Sequence, residues 1–281
     1  IIVKTSVSVL FIIPWAGKWI VGTTDTPYEG DRAEPLASKE DVQYILDQAN
    51  RVLKPKLKAE EIIGVYAGLR PLVANNKSAT TTKLSREHTV DRPVAGFVSI
   101  AGGKYTTYRV MAQDVIDRAV IELRRLTKES VTEKLPLVGA DGYFALEQQK
   151  ERIAQESGLD VETVTHLLNR HGSLISEILE IIQEQPKSAA KLDADLPYIK
   201  AEIIYAATHE GALSVDDVIS RRTRLSFEAT NHAVYLAEDV AALIAPVLGW
   251  SAKDRKESIA QYVGLVEREK AALDQLLEVN S

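Results

Sequence analysis

Apolar residues change their spacing near residue 126, and that change sets the architecture. Before it, blocks rich in Val, Ile and Trp stand between turn residues: VSVLFIIPW, KWIVGTTD and later GFVSIAGG. Branched and aromatic residues at that density favour strands. Beyond it almost every apolar residue falls at a helical interval. Candidate helices cover roughly 143–156, 160–170, 173–184, 198–209, 214–220, 225–245 and 251–278. LPLVGADGY, with its proline and glycines, connects the two textures. The spacing predicts an α+β fold: a partial, mainly antiparallel sheet with helices over 1–125, then an all-α C-terminal domain over 126–281.

Local signals fill in this outline. Ala16-Gly17-Lys18 reads as the tight turn of a hairpin. Ser38, with Asp41 three residues on, reads as the N-cap of a helix through Val42, Ile45, Leu46, Ala49 and Val52, stopped by Pro55. IIGVYAGLRPLV and GFVSIAGG read as further strands, and the polar stretch between them holds loops and one more strand. From Thr106 an apolar stripe at helical spacing runs from Tyr108 to Leu123. Asp160, Ser214 and Ser251 read as later N-caps, and Gly158, Gly172 and Gly211 as stops.

Composition narrows the chemistry. A chain of 281 residues, 45% hydrophobic, can bury a sizeable core. With no cysteine there is no disulfide framework, no thiolate metal site and no thiol nucleophile. The five histidines show no metal-ligand spacing, and His166 and His171, five apart, do not share a helical face. Residues 1–125 carry 18 Lys and Arg against 14 Asp and Glu, whereas the remainder carries 16 against 26. The acidic helical part is therefore no binder of nucleic acid, and the basic RRTR at 221–224 reads as intra-domain ion pairs. The mildly basic first part is where a small anion would go. Lys4, Pro14 and Lys18 interrupt the opening apolar run, so it is neither leader nor membrane span. The chain starts at Ile1 and its only methionine is Met111, which reads as a piece of a larger protein.

Two constellations could hold an anion. In AGGKYTTYR, Gly102 and Gly103 allow positive φ and close approach, Thr106 or Thr107 can cap the helix, and Lys104 adds a full charge. The N–H groups of the first turn point outward and favour an anion. A plain capped turn with a surface lysine fits the same letters. Arg70, between an apolar run and Pro71, needs either a protein carboxylate or a ligand anion as partner. Arg86 pairs most simply with Glu87 or Asp91, Asp25 caps a turn or lines a site, and His88 reads as a solvent-facing loop residue. There is no P-loop, no dinucleotide GxGxxG and no Ser-His-Asp order.

The blocks FIIPW, GTTDTPYEGD, VYAGLRPL, LSREH and AGGKYTTYRVMAQDVID, followed by HEGALSVDDVISRRTRLSFEA, resemble in that order the bacterial FAD-dependent glycerol-3-phosphate dehydrogenases. The resemblance covers nearly the whole chain. It implies an enzyme that oxidises glycerol 3-phosphate to dihydroxyacetone phosphate, with hydride passing from substrate C2 to the flavin and electrons then to a membrane quinone. Residue by residue, it places Arg70 and Lys104, and more weakly Arg86, on the substrate. Gly102, Gly103, Lys104, Thr106 and Thr107 fall beside the flavin pyrimidine. It assigns no catalytic base and no metal here. It further implies that the N-terminal half carrying the GxGxxG grip on FAD is missing, so that the chain alone is inactive and retains no FAD. A cytoplasmic location, peripheral contact of the parent enzyme with the membrane, and room for a homodimer come with it. A related oxidase handing electrons to oxygen, or a non-catalytic helical interaction module, are the alternatives.

Overall fold

The computed structural model describes residues 1–4, 9–70, 87–123 and 127–280. It opens with a three-stranded antiparallel sheet in the order β1 (Ile2–Lys4), β2 (Val9–Trp15), β3 (Lys18–Gly22). Ala16 and Gly17, both at positive φ, make the tight turn that pairs Trp15 with Lys18. Strand alternation then sorts β2: Leu10 and Ile12 are buried against Ala49 of α1 (Lys39–Asn50), while Val9, Phe11 and Ile13 stay on the open face. The Ser38 cap forms as expected, as a full capping box with Asp41.

A second ribbon pairs β4 (His88–Val94) with β5 (Phe97–Gly102), and α2 (Tyr108–Glu122) lies on it. No residue of α2 is buried, and Val94, Phe97, Ile116 and Ile121 are exposed. Its expected apolar stripe is therefore only partly covered. The strand expected over IIGVYAGLRPLV does not form in its described portion. Residues 62–70 are extended without ladder hydrogen bonds, after a 3-10 turn at Ala59–Glu61.

The remainder is helical: α3 (Tyr143–Glu147), α4 (Lys150–Ser157), α5 (Val161–His171), α6 (Ile175–Glu184), α7 (Lys200–Thr208), a π-type turn at Asp217–Arg222, α8 (Leu225–Glu228), α9 (Ala237–Leu248) and α10 (Ala252–Asn280). Asp160, Ser214 and Ser251 each accept a backbone N–H three residues on, at 2.7, 3.0 and 3.3 Å. One core gathers Val164, Leu167, Ile178 and Ile199, and a larger one Ile203, Val218, Leu225, Val240, Ile244 and Tyr262. Ala272 and Leu276 of α10 return to pack on Val42 of α1 and Ala59, so the last helix ties the two parts together.

The single helix expected over 225–245 is broken. Asn231, His232 and Ala233 take left-handed backbone angles, φ 51, 51 and 55°, between α8 and α9. The stop at Gly172 is confirmed and has a second reason. At φ 58° a Cβ there would collide with the carbonyl oxygen of Gly139, which also accepts the Ser173 N–H at 2.8 Å. Gly172→Ala is expected to lower the unfolding free energy by roughly 1–3 kcal/mol from the backbone strain alone. Urea denaturation reads this, and a loss below about 0.5 kcal/mol, the ordinary scatter of surface changes, would contradict it.

Candidate functional site

β5 runs out at Gly102, and two consecutive glycines at φ 78 and 85° turn the chain toward α2. The space beside Gly103 is filled from within: a Cβ there would meet Met111 Sδ and, at 3.2 Å, His88 Cβ. Its glycine is thus needed for packing of the ribbon on α2, as well as for its backbone angle. Lys104 then caps a 3-10 turn at Tyr105–Thr107 that leads straight into α2. The Thr107 hydroxyl accepts from Lys104 N at 3.3 Å and donates to Lys104 O at 3.0 Å, so it serves the turn. Lys104, Tyr105 and Thr106 face solvent, Tyr105 at 92% exposure, and Lys104 makes no ion pair among the described residues. The first N–H groups of the turn have no partner within it and point the same way. This helix start is exposed and carries a cationic side chain.

Arg70 finds a protein carboxylate. Its Nη1 donates to Asp25 Oδ2 at 2.6 Å, and Nη2 reaches Thr23 Oγ1 at 3.5 Å, the limit of a hydrogen bond. Asp25 is 15% exposed and Arg70 40%, so this is a half-open pair joining the loop after β3 to the end of the 62–70 segment. Asp25, expected either to cap a turn or to line a site, here pairs with Arg70. A guanidinium has five donors, and one carboxylate oxygen leaves most of them available to a second anion. Among the described residues, Arg70 and Lys104 share no partner. Arg86 lies outside the described residues.

His88 is not a loop residue. It opens β4, and its Nε2 lies 2.6 Å from Asp114 Oδ2 of α2, beside the Arg92–Glu122 pair at 2.7 Å. A charged hollow between β4 and α2 is lined by His88, Asp91, Arg92, Asp114 and Arg118. RRTR forms the expected ion pair at one of its three arginines. Arg221 pairs with Asp216, and Arg222 Nε donates to the carbonyl of Glu210 at 2.8 Å. Arg224 instead lies over the Trp15 ring, 4.7 Å from its centroid.

The spacing argument about His166 and His171 fails. Both Nε2 atoms approach one oxygen of the buried Glu202, at 2.9 and 3.4 Å, with Arg170 Nε at 3.8 Å. Glu202 Oε2 accepts the Ile199 N–H at 3.0 Å. Burial alone would raise its pKa, but hydrogen bonds from the two histidines and Ile199 hold it far down, at about 2. His171 ends α5, so its ring can swing to a face that a mid-helix residue could not reach. An ionisable residue inside an apolar helical run, EIIYAAT, was the available signal.

Residues 3–109 match the model of the FAD dependent oxidoreductases, and residues 130–255 that of the C-terminal domain of alpha-glycerophosphate oxidase. Glycerol-3-phosphate dehydrogenase 2 of Mycobacterium tuberculosis is 49% identical over 268 residues, which are 95% of this chain and 46% of that protein. Over nearly its whole length the chain is thus similar to the FAD-dependent glycerol-3-phosphate dehydrogenases. It spans about half the length of the curated relatives it matches. The mouse mitochondrial glycerol-3-phosphate dehydrogenase is 34% identical over 89% of the chain and 35% of its own length. The solved glycerol-3-phosphate dehydrogenase of Bacillus halodurans, in complex with FAD, superposes with a TM-score of 0.76 at 26% identity, covering 93% of this chain and 51% of that one. The α+β fold with a helical C-terminal part is thus shared with that structure. Among the described residues, no helix is long and apolar enough to cross a membrane.

Proposed function

We propose that this chain is the part of an FAD-dependent dehydrogenase that supplies one wall of the substrate site and the flavin-facing helix start. The reaction is oxidation of sn-glycerol 3-phosphate to dihydroxyacetone phosphate, with a quinone as final acceptor. The open start of α2 carries this reading. A glycine turn, an exposed lysine and outward N–H groups form a cradle for anionic or electron-rich oxygens, and it suits the pyrimidine side of a flavin. FAD, when bound, supplies the two-electron acceptor.

The chain's own residues then do the following. Gly102 to Thr107 hold the helix start in place, and its dipole favours negative charge beside it. Lys104 adds a full charge at that edge. Arg70, held on one side by Asp25, presents its remaining donors to the phosphate of the substrate. Arg86 is assigned to the same anion as a weaker contact. In this proposal residues 1–125 form the site portion and 126–281 the helical domain. The open apolar face of β2, with Phe11 and Ile13 exposed, supports a covering half that completes the FAD grip. The chain alone then retains no flavin, and the parent enzyme is cytoplasmic and meets its quinone at the membrane surface.

The test compares the 281-residue chain with the full-length enzyme. Full-length protein is expected to carry FAD and reduce a quinone analogue with glycerol 3-phosphate, and the chain alone to do neither. Tight FAD binding and turnover by the chain alone would refute the division of labour. The match of 130–255 to an oxidase domain favours one second reading, in which oxygen takes the electrons. Stoichiometric peroxide from the full-length enzyme would establish it.

A further inference from the structure

Residues 62–70 carry Arg70, yet they belong to no strand or helix. A segment without a hydrogen-bonded ladder has no backbone reason to stay in one place, so side-chain contacts must fix it. Besides the Arg70–Asp25 pair and Val42 of α1, the contacts among the described residues come from the helical part of the chain. At its start, Ile62 and Val65 join Ala59 against Ala272 and Leu276 of α10. Gly64 lies against the His232 ring: a Cβ added there would stand 3.0 Å from Nε2 and 3.1 Å from Cε1. The Tyr66 ring meets Phe227 edge to face, with centroids 5.1 Å apart. Nearby, the Arg224 guanidinium covers Trp15 at the end of β2.

The residues doing the holding are themselves held. Phe227 sits on α8 between the buried Ser226 and Glu228, in a helix anchored by Leu225 in the larger core. His232 is buried, and its carbonyl accepts a hydrogen bond from the Tyr262 hydroxyl of α10. Its left-handed backbone, flanked by two more left-handed residues, costs free energy that the surrounding packing must offset. That conformation presents the ring to Gly64, and the Nε2 edge makes no hydrogen bond. The ring's Nδ1 faces Glu269 Oε2 at 3.8 Å, and the Nε2 edge is packed against Gly64.

We propose that Phe227 and His232 of the helical domain are positioning residues for Arg70: they seat the 62–70 segment so that its guanidinium meets the substrate anion. This rests on the assignment of Arg70 to the substrate made above. It gives the helical domain a direct part in substrate affinity, although it contributes no residue to the anion contact itself.

Two variants test the seat, each from one side. Phe227→Ala removes the ring under Tyr66, and Gly64→Ala pushes the segment off His232. Chymotryptic cleavage of the folded 281-residue chain after Tyr66 or Leu69 reads the seat without any turnover. It is expected to quicken about threefold to tenfold in both variants, the loss of one aromatic contact or its equivalent. In the full-length enzyme the KM for glycerol 3-phosphate and the inhibition constant of inorganic phosphate should rise by a similar factor, with kcat within about twofold. Adding His232→Ala to Gly64→Ala should recover part of the loss, because the new methyl then has room.

Unchanged cleavage within 62–70 in both variants overturns the seat. So does quicker cleavage with unchanged KM in an active enzyme, or an equal fall in kcat and Tm with no change in KM. If cleavage quickens but the wild-type enzyme does not oxidise glycerol 3-phosphate, the substrate assignment fails and the seat stands. A Phe227→Ala chain that does not fold leaves Gly64→Ala and its double variant to decide.

Discussion

Replacing Arg70 by alanine in the full-length enzyme should raise KM for glycerol 3-phosphate by about 10- to 100-fold. That is the range for losing a charge-assisted hydrogen bond of roughly 1.5–3 kcal/mol. Binding of a phosphate is uniform through the reaction, so kcat should change far less than KM. Arg70→Lys separates charge from shape: it keeps the cation but cannot form the planar fork that shares Asp25 and a phosphate. It should recover only part of the affinity. Steady-state kinetics decide the matter, and an unchanged KM in Arg70→Ala would remove the residue from the substrate site. It would then be the structural partner of Asp25 and nothing more.

Glu202→Ala should be the most destabilising single change in the helical part, at about 3–5 kcal/mol. The carboxylate is 2% exposed and faces His166, Arg170 and His171, all half-buried or deeper. Its removal leaves cationic and polar groups buried without their common acceptor, whereas Glu202→Gln retains some of the hydrogen bonds. The pH dependence has a definite sign. The folded pKa lies at about 2, below the ordinary value of 4.5, so the folded state favours the ionised form. That stabilisation is full above pH 4.5 and disappears as pH falls through 2; over that window it amounts to something on the order of 3 kcal/mol. Urea unfolding of the wild type between pH 5 and 2 should show the decline, and Glu202→Gln should flatten it. Equal slopes in the two proteins would mean that Glu202 is not the titrating group.

Much of this molecule could be read from local spacing. The Ser38–Asp41 cap, the hairpin at Ala16-Gly17 and the caps at Asp160, Ser214 and Ser251 each depend on residues within three or four positions. So do the amphipathic helices of the second part. The glycine turn and helix start at 102–107 were legible for the same reason. Whether it served a ligand or only a turn was not, because a capped helix and an anion site use the same outward N–H groups.

The sequence by itself determined the two textures, the helix starts, the acidic helical part and the family resemblance, since these rest on residue type and short-range order. Only the tertiary structure decided the pairings. Arg70 and Asp25 stand 45 residues apart, and His166 and Glu202 36 apart. No periodicity links such partners, and a buried charge takes whichever carboxylate the fold brings near. The same holds for residues 62–70 and 231–233. Their letters read as strand and helix, but extended and left-handed backbones prevail there because contacts between them and with Tyr66, Phe227 and Tyr262 outweigh local preference.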